Sequence, residues 1–226
     1  MPNAFLGFPV SRAKVALIAL SYAGIQSVYD DPGYLLSEWF TSLDGIYKAS
    51  SPADGVAITE TQLSLSTQGG GTDYASVSKT PANFLTPWSW AKKAKFKTEA
   101  LLAANSDSLP KMDLLWGDHD TGRHFGFTVR AGVLKGSVAN GTAETLTAAL
   151  ADWGAAGYYE LRRLEAIYNI TSADFYLDGV KVATITTGLP TGDTAANRFL
   201  RLYVRANAST NYHGMTLSYW KAWKEA

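Results

Sequence analysis

Two carboxylates in one apparent strand are the nearest approach to a hydrolytic site in this sequence. Glycoside hydrolysis needs two carboxyl groups about 5–10 Å apart, and Glu160 and Glu165 share the stretch YYELRRLEAIYN. Their spacing is odd, and strand side chains alternate between faces, so the two point to opposite faces. We therefore expect ordinary ion pairs with Arg162 and Arg163 rather than an acid and its base.

The densest polar cluster is GDHDTGRH, residues 117–124. Its possible ligands for a divalent cation, or groups that act on a sugar, are Asp118, His119, Asp120 and His124. Gly117 and Gly122 bracket the cluster, which is the pattern of a solvated hairpin turn. We expect no metal and no cofactor, with Asp118 and Asp120 as the candidate ligands if a cation does bind.

Three tryptophans suggest sugar binding: Trp88 and Trp90 lie close together in the sequence, and Trp116 directly precedes the polar cluster. The chain has seven Trp and an aromatic content of 12%, and exposed indole rings can stack on sugar faces through apolar contact. The glycan-binding candidates are Trp88, Trp90, Trp116 and His119. The alternative is that these rings fill a core, since large sandwich cores also use aromatic residues.

The stretch WAKKAKFK alternates with the period of a strand. Trp90, Ala94 and Phe96 fall on one face, and the other carries Lys93, Lys95 and Lys97. We interpret the lysines as a solvated face that guards a strand against aggregation, with a site for a polyanion as the alternative. No nucleophile elbow, phosphate loop or zinc-protease motif is present.

Composition excludes several classes of protein. The 226 residues suit one large all-β domain or two small ones. The 20 basic and 20 acidic residues balance, so no net charge would attract nucleic acid or an anionic membrane. The absence of cysteine excludes thiol catalysis and disulfides. No apolar run reaches the ~18 residues of a membrane span. We predict neither nucleic acid nor membrane as a partner.

Residues 11–23 have the pattern of a helix that Ser11 can cap. Its apolar positions are Val15, Leu17, Ile18, Leu20, Tyr22 and Ile25. A helix that is apolar nearly all round is buried on most sides, so we expect it to dock against another subunit and make a homo-oligomer. The alternative is that it closes one end of its own sandwich. The turn YDDPG then ends this segment, giving units 1–33 and 34–226.

From Tyr34 onward, short strands alternate with turns, which is typical of a β-sandwich. The clearest unit is ADFYLDGVKVATI, a hairpin with a type I′ turn at Asp178-Gly179. Pairing across this turn sets Leu177 against Val180 and Phe175 against Val182. These four apolar residues should face the core.

The stretches YYELRRLEAIYNITSADFYLDGVKVATITTGLP, WFTSLDGIYKASSPADGVAITETQLSLST and HGMTLSYWKAW resemble the concanavalin A-like lectin/glucanase family over about residues 34–226. The resemblance implies an all-β fold, an antiparallel β-sandwich (jelly roll), here preceded by a short N-terminal helix. Laminarinase-type members carry a Glu-x-Asp-x-Glu strand that this chain lacks, so the resemblance does not extend to their activity. A jelly roll behind a docking segment is also similar to phage and virus surface proteins.

These observations predict a non-catalytic surface or assembly protein: a virion component such as a capsid decoration, tail or fibre protein, with glycan binding as a further role. Its location would then be the virion or an extracellular surface. The first alternative is a free carbohydrate-binding module or lectin, which would not need the docking helix. The second is a diverged glycoside hydrolase or polysaccharide lyase.

Overall fold

A computed structural model describes residues 36–39, 47–50, 55–59, 62–67, 74–79, 88–104, 111–118, 122–152, 161–194, 200–205 and 213–225. The chain divides into two units, and all these residues lie in the second, Leu35–Ala226. The predicted assembly helix and its six apolar residues lie outside the described ranges. Within these ranges, no helix is long and apolar enough to cross a membrane.

Every regular element of the described ranges is a β-strand. The strands, in chain order, are β1 (Leu36–Trp39), β2 (Tyr47–Ser50), β3 (Gly55–Thr59), β4 (Gln62–Thr67), β5 (Tyr74–Lys79), β6 (Trp88–Ser89), β7 (Ala94–Ala104), β8 (Lys111–Gly117), β9 (His124–Arg130), β10 (Val133–Ala139), β11 (Glu144–Leu146), β12 (Ala151–Asp152), β13 (Leu161–Tyr168), β14 (Ala173–Leu177), β15 (Val180–Ile185), β16 (Asp193–Thr194), β17 (Leu200–Arg205) and β18 (His213–Lys224).

Two antiparallel sheets of eight strands each carry the fold. The first sheet has the order β15-β14-β13-β7-β18-β4-β3, and β1 also pairs with β18. The second has the order β11-β10-β9-β8-β17-β5-β2, and β12 also pairs with β10. The short strands β6 and β16 pair with each other. The predicted all-β, antiparallel architecture is confirmed for the described residues.

Aromatic rings from both sheets meet between them. Phe96 on β7 packs 5.8 Å from Phe125 and 6.4 Å from Phe127, both on β9, measured between ring centroids. Phe127 in turn packs 5.5 Å from Phe175 on β14. Because strand residues alternate between faces, each strand sends every second side chain into this core. Burial of these large rings is the main stabilising contribution to a sandwich.

The hairpin of β14 and β15 is built around the predicted turn. Asp178 and Gly179 have φ of 51° and 85°, and Leu177 pairs with Val180 as expected. A bulge between Phe175 and Tyr176 then shifts the register, so that Phe175 pairs with Ala183 instead of Val182.

The prediction that all four apolar residues of this hairpin face the core is therefore wrong for two of them. Phe175 is fully buried, whereas Val180 and Val182 are 64% and 39% exposed. The physical reason is that β15 is the end strand of the first sheet. The bulge sets Ala183 opposite Phe175 in place of Val182, and Val180 lies next to the turn, so Ala183 and Ile185 pack against the core and the valines do not.

The lysine-bearing strand β7 alternates as predicted. Ala94 and Phe96 are buried, whereas Lys95 and Lys97 are only partly covered. It is, however, an inner strand between β13 and β18, so its lysines do not guard a sheet edge. Lys97 lies beside Glu165 in the register, and the Lys95 ammonium lies 5.8 Å from the ring centre of Trp223. Mixed charge and cation–π contact make this face a poor polyanion site.

Candidate functional site

Two of the predicted sugar-stacking tryptophans belong to the core. Trp90 and Trp116 are each 1% exposed. Trp90 packs edge-on against Phe125 at 6.2 Å and against Tyr168 at 5.4 Å, and Trp116 stacks on Phe125 at 5.8 Å. The glycan-stacking prediction is wrong for both rings: Trp116 lies on the core face of β8, and Trp90, in the turn after β6, is buried against Phe125 and Tyr168.

The polar turn that the sequence singled out lies at the same end of the sandwich as these rings. The amide of Asp118 donates to the carbonyl of Arg123 at 3.0 Å, which closes the β8–β9 turn. The side chains of Trp88, His119 and Asp120 lie outside the described residues, so their predicted roles stay predictions. Among the described residues, no group of three or more acidic, histidine or cysteine side chains could hold a metal ion.

The second sheet carries polar residues on its outer face, the face turned away from the first sheet. On β9, Phe125, Phe127 and Val129 are core residues. Three of the four alternate positions carry polar side chains, and the fourth is Gly126. These polar side chains and their partners on β8, β10 and β11 form what we call the polar network: Asp113, His124, Thr128, Arg130, Ser137 and Glu144.

Arg130 is the centre of the polar network. Its Nη1 donates to Oδ1 of Asp113 at 2.8 Å, and its Nη2 donates to Oε1 of Glu144 at 3.1 Å. Thr128 also donates its hydroxyl proton to Asp113, at 2.6 Å. The Asp113 side chain is 0% exposed, whereas those of Arg130 and Glu144 are 22% and 21% exposed. In the polar network, Asp113 is therefore buried, whereas solvent or a ligand can reach the charged groups of Arg130 and Glu144.

His124 extends the network toward the turn end of the sheet. The Ser137 hydroxyl donates its proton to Oε1 of Glu144 at 2.8 Å, so its oxygen must accept from Nε2 of His124, which lies 2.8 Å away. The neutral ring therefore carries its proton on Nε2. Burial lowers the pKa of His124, although Asp113 and Glu144 oppose that shift. The buried ring is thus a fixed, neutral hydrogen-bond donor at neutral pH.

A second polar region on the outer face of the first sheet is a weaker candidate. A cleft of about 110 Å³ is lined by Lys97, Arg163, Leu164, Glu165, Asp178 and Gly179. Arg162 pairs with Asp178 at 2.9 Å and Arg163 with Glu99 at 3.2 Å. Among the described residues, these ion pairs use Asp178 in the β14–β15 turn and Glu99 on β7 instead of the predicted Glu165. Glu160, the other predicted partner, lies outside the described residues. Small-molecule sites usually span roughly 300–1,000 Å³, so this cleft is too small for a sugar chain.

Sequence reasoning missed the polar network, although one signal for it was present. The stretch RHFGFTVR alternates polar and aromatic residues along β9, which indicates a strand with one polar face. The partners Asp113 and Glu144 come from β8 and β11, and only the strand register brings them to Arg130.

No protein-family model matches the chain, and no curated protein matches it. Solved structures do resemble it. A sialidase structure has a TM-score of 0.55 at 12% identity, over 80% of this chain and 17% of its own length. The carbohydrate recognition domain of Emp46p has a TM-score of 0.56 at 11% identity, over 85% and 94% of the two chains.

A third similar structure concerns botulinum neurotoxin type C and its interaction with two ganglioside molecules. Its TM-score is 0.52 at 12% identity, over 86% of this chain and 44% of its own length. The chain thus spans less than half of the sialidase and toxin structures. At such identities the likeness shows the fold alone, and that fold is the antiparallel jelly-roll sandwich that the sequence motifs predicted.

Proposed function

We propose that the chain is a non-catalytic, glycan-binding jelly-roll domain of a surface or assembly protein. The observation that supports this best is the polar network, in which Arg130 and Glu144 are partly exposed and the Asp113 side chain that holds Arg130 is buried. A guanidinium donates to sugar hydroxyls and a carboxylate accepts from them. Because both groups are already held by neighbours, little side-chain freedom is lost on binding.

Glu144 has the geometry of a sugar acceptor. Its hydrogen bonds from Arg130 and Ser137 both end on Oε1. Among the described residues, nothing donates to Oε2, which leaves that oxygen for a ligand. The likeness to the Emp46p carbohydrate recognition domain and to botulinum neurotoxin type C, which interacts with two ganglioside molecules, adds support from the fold.

The absence of catalysis is part of the proposal. A hydrolytic pair needs both carboxyl groups at the sugar. Here Asp113 is fully buried, and Asp113 and Glu144 are both bound to the guanidinium of Arg130. A substrate could reach Glu144 but not Asp113. We expect no release of reducing ends from β-glucans, xylan, alginate or peptidoglycan; turnover that one carboxylate substitution abolishes would contradict this.

Glycan-array screening followed by calorimetric titration tests the binding. We expect Glu144→Gln to lower the affinity for the glycan found in the screen by about tenfold, since a hydrogen bond to a charged group contributes roughly 1.5–3 kcal/mol. Glu165→Gln is the matched control, because Glu165 lies on the outer face of the first sheet. Equal affinity of the Glu144 and Glu165 variants would move the site elsewhere, and a protein that binds no glycan would overturn the proposal.

The finer part of the proposal concerns assembly. We infer that the domain belongs to a virion component, such as a capsid decoration, tail or fibre protein, and acts at the virion or another extracellular surface. The apolar pattern of residues 11–23 supports this, because a free lectin would not need a docking helix.

A further inference from the structure

Three backbone segments of the second unit meet around the side chain of Arg123. They are the β8–β9 turn that holds Arg123, the β10–β11 turn at residues 140–143, and the segment that leads into β16 at Gly192. The Arg123 Nε donates to the carbonyl of Asn140 at 3.4 Å. A β-carbon added to Gly141 would lie 3.4 Å from Cγ of Arg123, and one added to Gly192 would lie 4.0 Å from Nη2 of Arg123.

The β10–β11 turn is a firm support for this side chain. Oδ1 of Asn140 accepts from the amides of Thr142 and Ala143 at 3.0 and 3.1 Å, and from the Thr142 hydroxyl at 2.8 Å. These bonds fix the Asn140 carbonyl that receives the Arg123 Nε. The Nε end of the Arg123 side chain is thereby positioned. Gly141 and Gly192, which lie next to it, carry no side chains that would cover it.

The charge of Arg123 lacks a carboxylate among the described residues. The other arginines whose side chains are described each have one: Arg130 with Asp113, Arg162 with Asp178 and Arg163 with Glu99. Of the two acidic residues in the same turn, Asp118 lies beside Gly122, and Asp120 lies outside the described residues. Within the described part of the chain, no hydrogen bond uses Nη1 or Nη2 of Arg123. A half-buried guanidinium with its fork open is a ready partner for a planar anion.

We propose that Arg123 binds the carboxylate of an acidic sugar, so that this end of the second sheet is a subsite for uronate-type glycans. The inference rests on the proposed glycan binding and adds to it the charge of the ligand. Arg123 immediately precedes His124 of the polar network. One glycan could therefore place a carboxylate on Arg123 and hydroxyl groups on Glu144 and Arg130.

Calorimetry on the full chain with two matched probes tests the subsite. The probes are a mannuronate tetrasaccharide and mannotetraose, which differ in the carboxylates, and a sulfated mannotetraose separates carboxylate recognition from general anion binding. We expect the uronate to bind more tightly than the other two. Arg123→Gln should weaken it about tenfold or more, and Arg123→Lys should recover part of that loss because it keeps the charge without the fork.

Arg162→Gln is the control, since Arg162 is partly buried but ion-paired on the first sheet; its uronate affinity should not change. Thermal melts of all variants check folding. Uronate affinity that is insensitive to Arg123→Gln, or equal affinity for uronate and neutral probe, would overturn the subsite while glycan binding stands. Sulfate bound as well as carboxylate would overturn the carboxylate assignment. Failure to bind any glycan would defeat the proposed function and the subsite together.

Discussion

At the residue scale, Gly136 shows how closely the two sheets approach. It lies on the core face of β10, where a β-carbon would be 2.7–2.8 Å from three atoms of the Phe175 ring. That ring is fully buried and cannot swing into solvent. Gly136→Ala should therefore lower the free energy of unfolding by about 1–3 kcal/mol, the usual cost of overpacking a core.

Urea denaturation of a double-mutant cycle provides the check. Phe175→Leu removes ring atoms and is destabilising by itself. In that background, however, Gly136→Ala should cost less than it does in the native protein. Additive costs would mean that the methyl group does not meet the ring.

His124 should make stability depend on pH. Its pKa is lowered in the folded chain by burial, and an unfolded histidine titrates near 6.5. The unfolded state then binds more protons below about 6.5, so stability is full above that value and falls as the pH drops through it. Between pH 7.5 and 5.5, the melting temperature should fall more for the native protein than for His124→Gln.

Two other histidines make suitable controls for that measurement. His119→Gln and His213→Gln should keep the native pH dependence, if His124 carries it. Asp174 and Asp178 do not interfere in this range. Partial burial alone would raise the pKa of each, but hydrogen bonds from Lys181 and Thr184 to Asp174, and from Arg163 and Arg162 to Asp178, outweigh it and hold both values low. A pH dependence that survives His124→Gln unchanged would contradict the assignment.

At the scale of elements, the β14–β15 hairpin separates backbone strain from side-chain contact. Gly179 has φ of 85° and no atom within 4 Å of a β-carbon position. Gly179→Val should therefore cost about 1–3 kcal/mol through strain alone. Lys181→Thr should matter less: Asp174 loses its 2.7 Å partner Lys181 but keeps Thr184 at 2.7 Å. Thermal melts compare the two, and equal melting temperatures would mean that the turn does not set the register.

A comparison of two turns shows what local sequence can predict. Asp178-Gly179 is a strong type I′ signal, and the turn is there. Ala131 and Gly132, between β9 and β10, also have positive φ of 54° and 73°, yet Ala-Gly gives no such signal. Long-range pairing, rather than local preference, holds that turn. The bulge beside Phe175 was equally beyond prediction, because it depends on how β14 and β15 lie against the rest of the sheet.

The positive φ of Ala131 leads to a prediction that a substitution stabilises the protein. A non-glycine residue in the left-handed region costs roughly 1–2 kcal/mol. Ala131→Gly should recover part of that cost and raise the midpoint of urea denaturation, although the unfolded chain gains freedom from the added glycine. The exposed Ala143→Gly is the control, since it adds the same freedom without relieving strain. A lower midpoint for Ala131→Gly than for the control would contradict the strain.

At the scale of the whole molecule, the sequence predicts the fold better than the site. Alternation along single strands, as in β7 and β9, is local and indicates a sandwich with polar and apolar faces. The site depends on the register between four consecutive strands, β8 to β11, which the pattern of any one strand does not give. Trp90 and Trp116 were misassigned because contacts with rings on other elements, and not residue type, decide their exposure. Asp113 and Glu144 went unnoticed because only the pairing of four strands brings them to one arginine.

The division of the chain between Tyr34 and Leu35 leads to a prediction about assembly. If residues 1–34 dock the protein to other subunits, their removal should leave a folded jelly roll, because the described core residues of both sheets lie within residues 35–226. Glycan affinity should persist, since the polar network and Arg123 also lie there. Light scattering should then show a monomer where the full chain is an oligomer.

A matched variant, Leu17→Asp with Leu20→Asp in the full chain, should have the same effect, because charge on an apolar face opposes docking. Oligomers that survive both changes would place the assembly surface on the sandwich itself. Exposed Val180 and Val182 on the end strand β15 would then be the first positions to examine, since an unpaired edge can add strands from another copy.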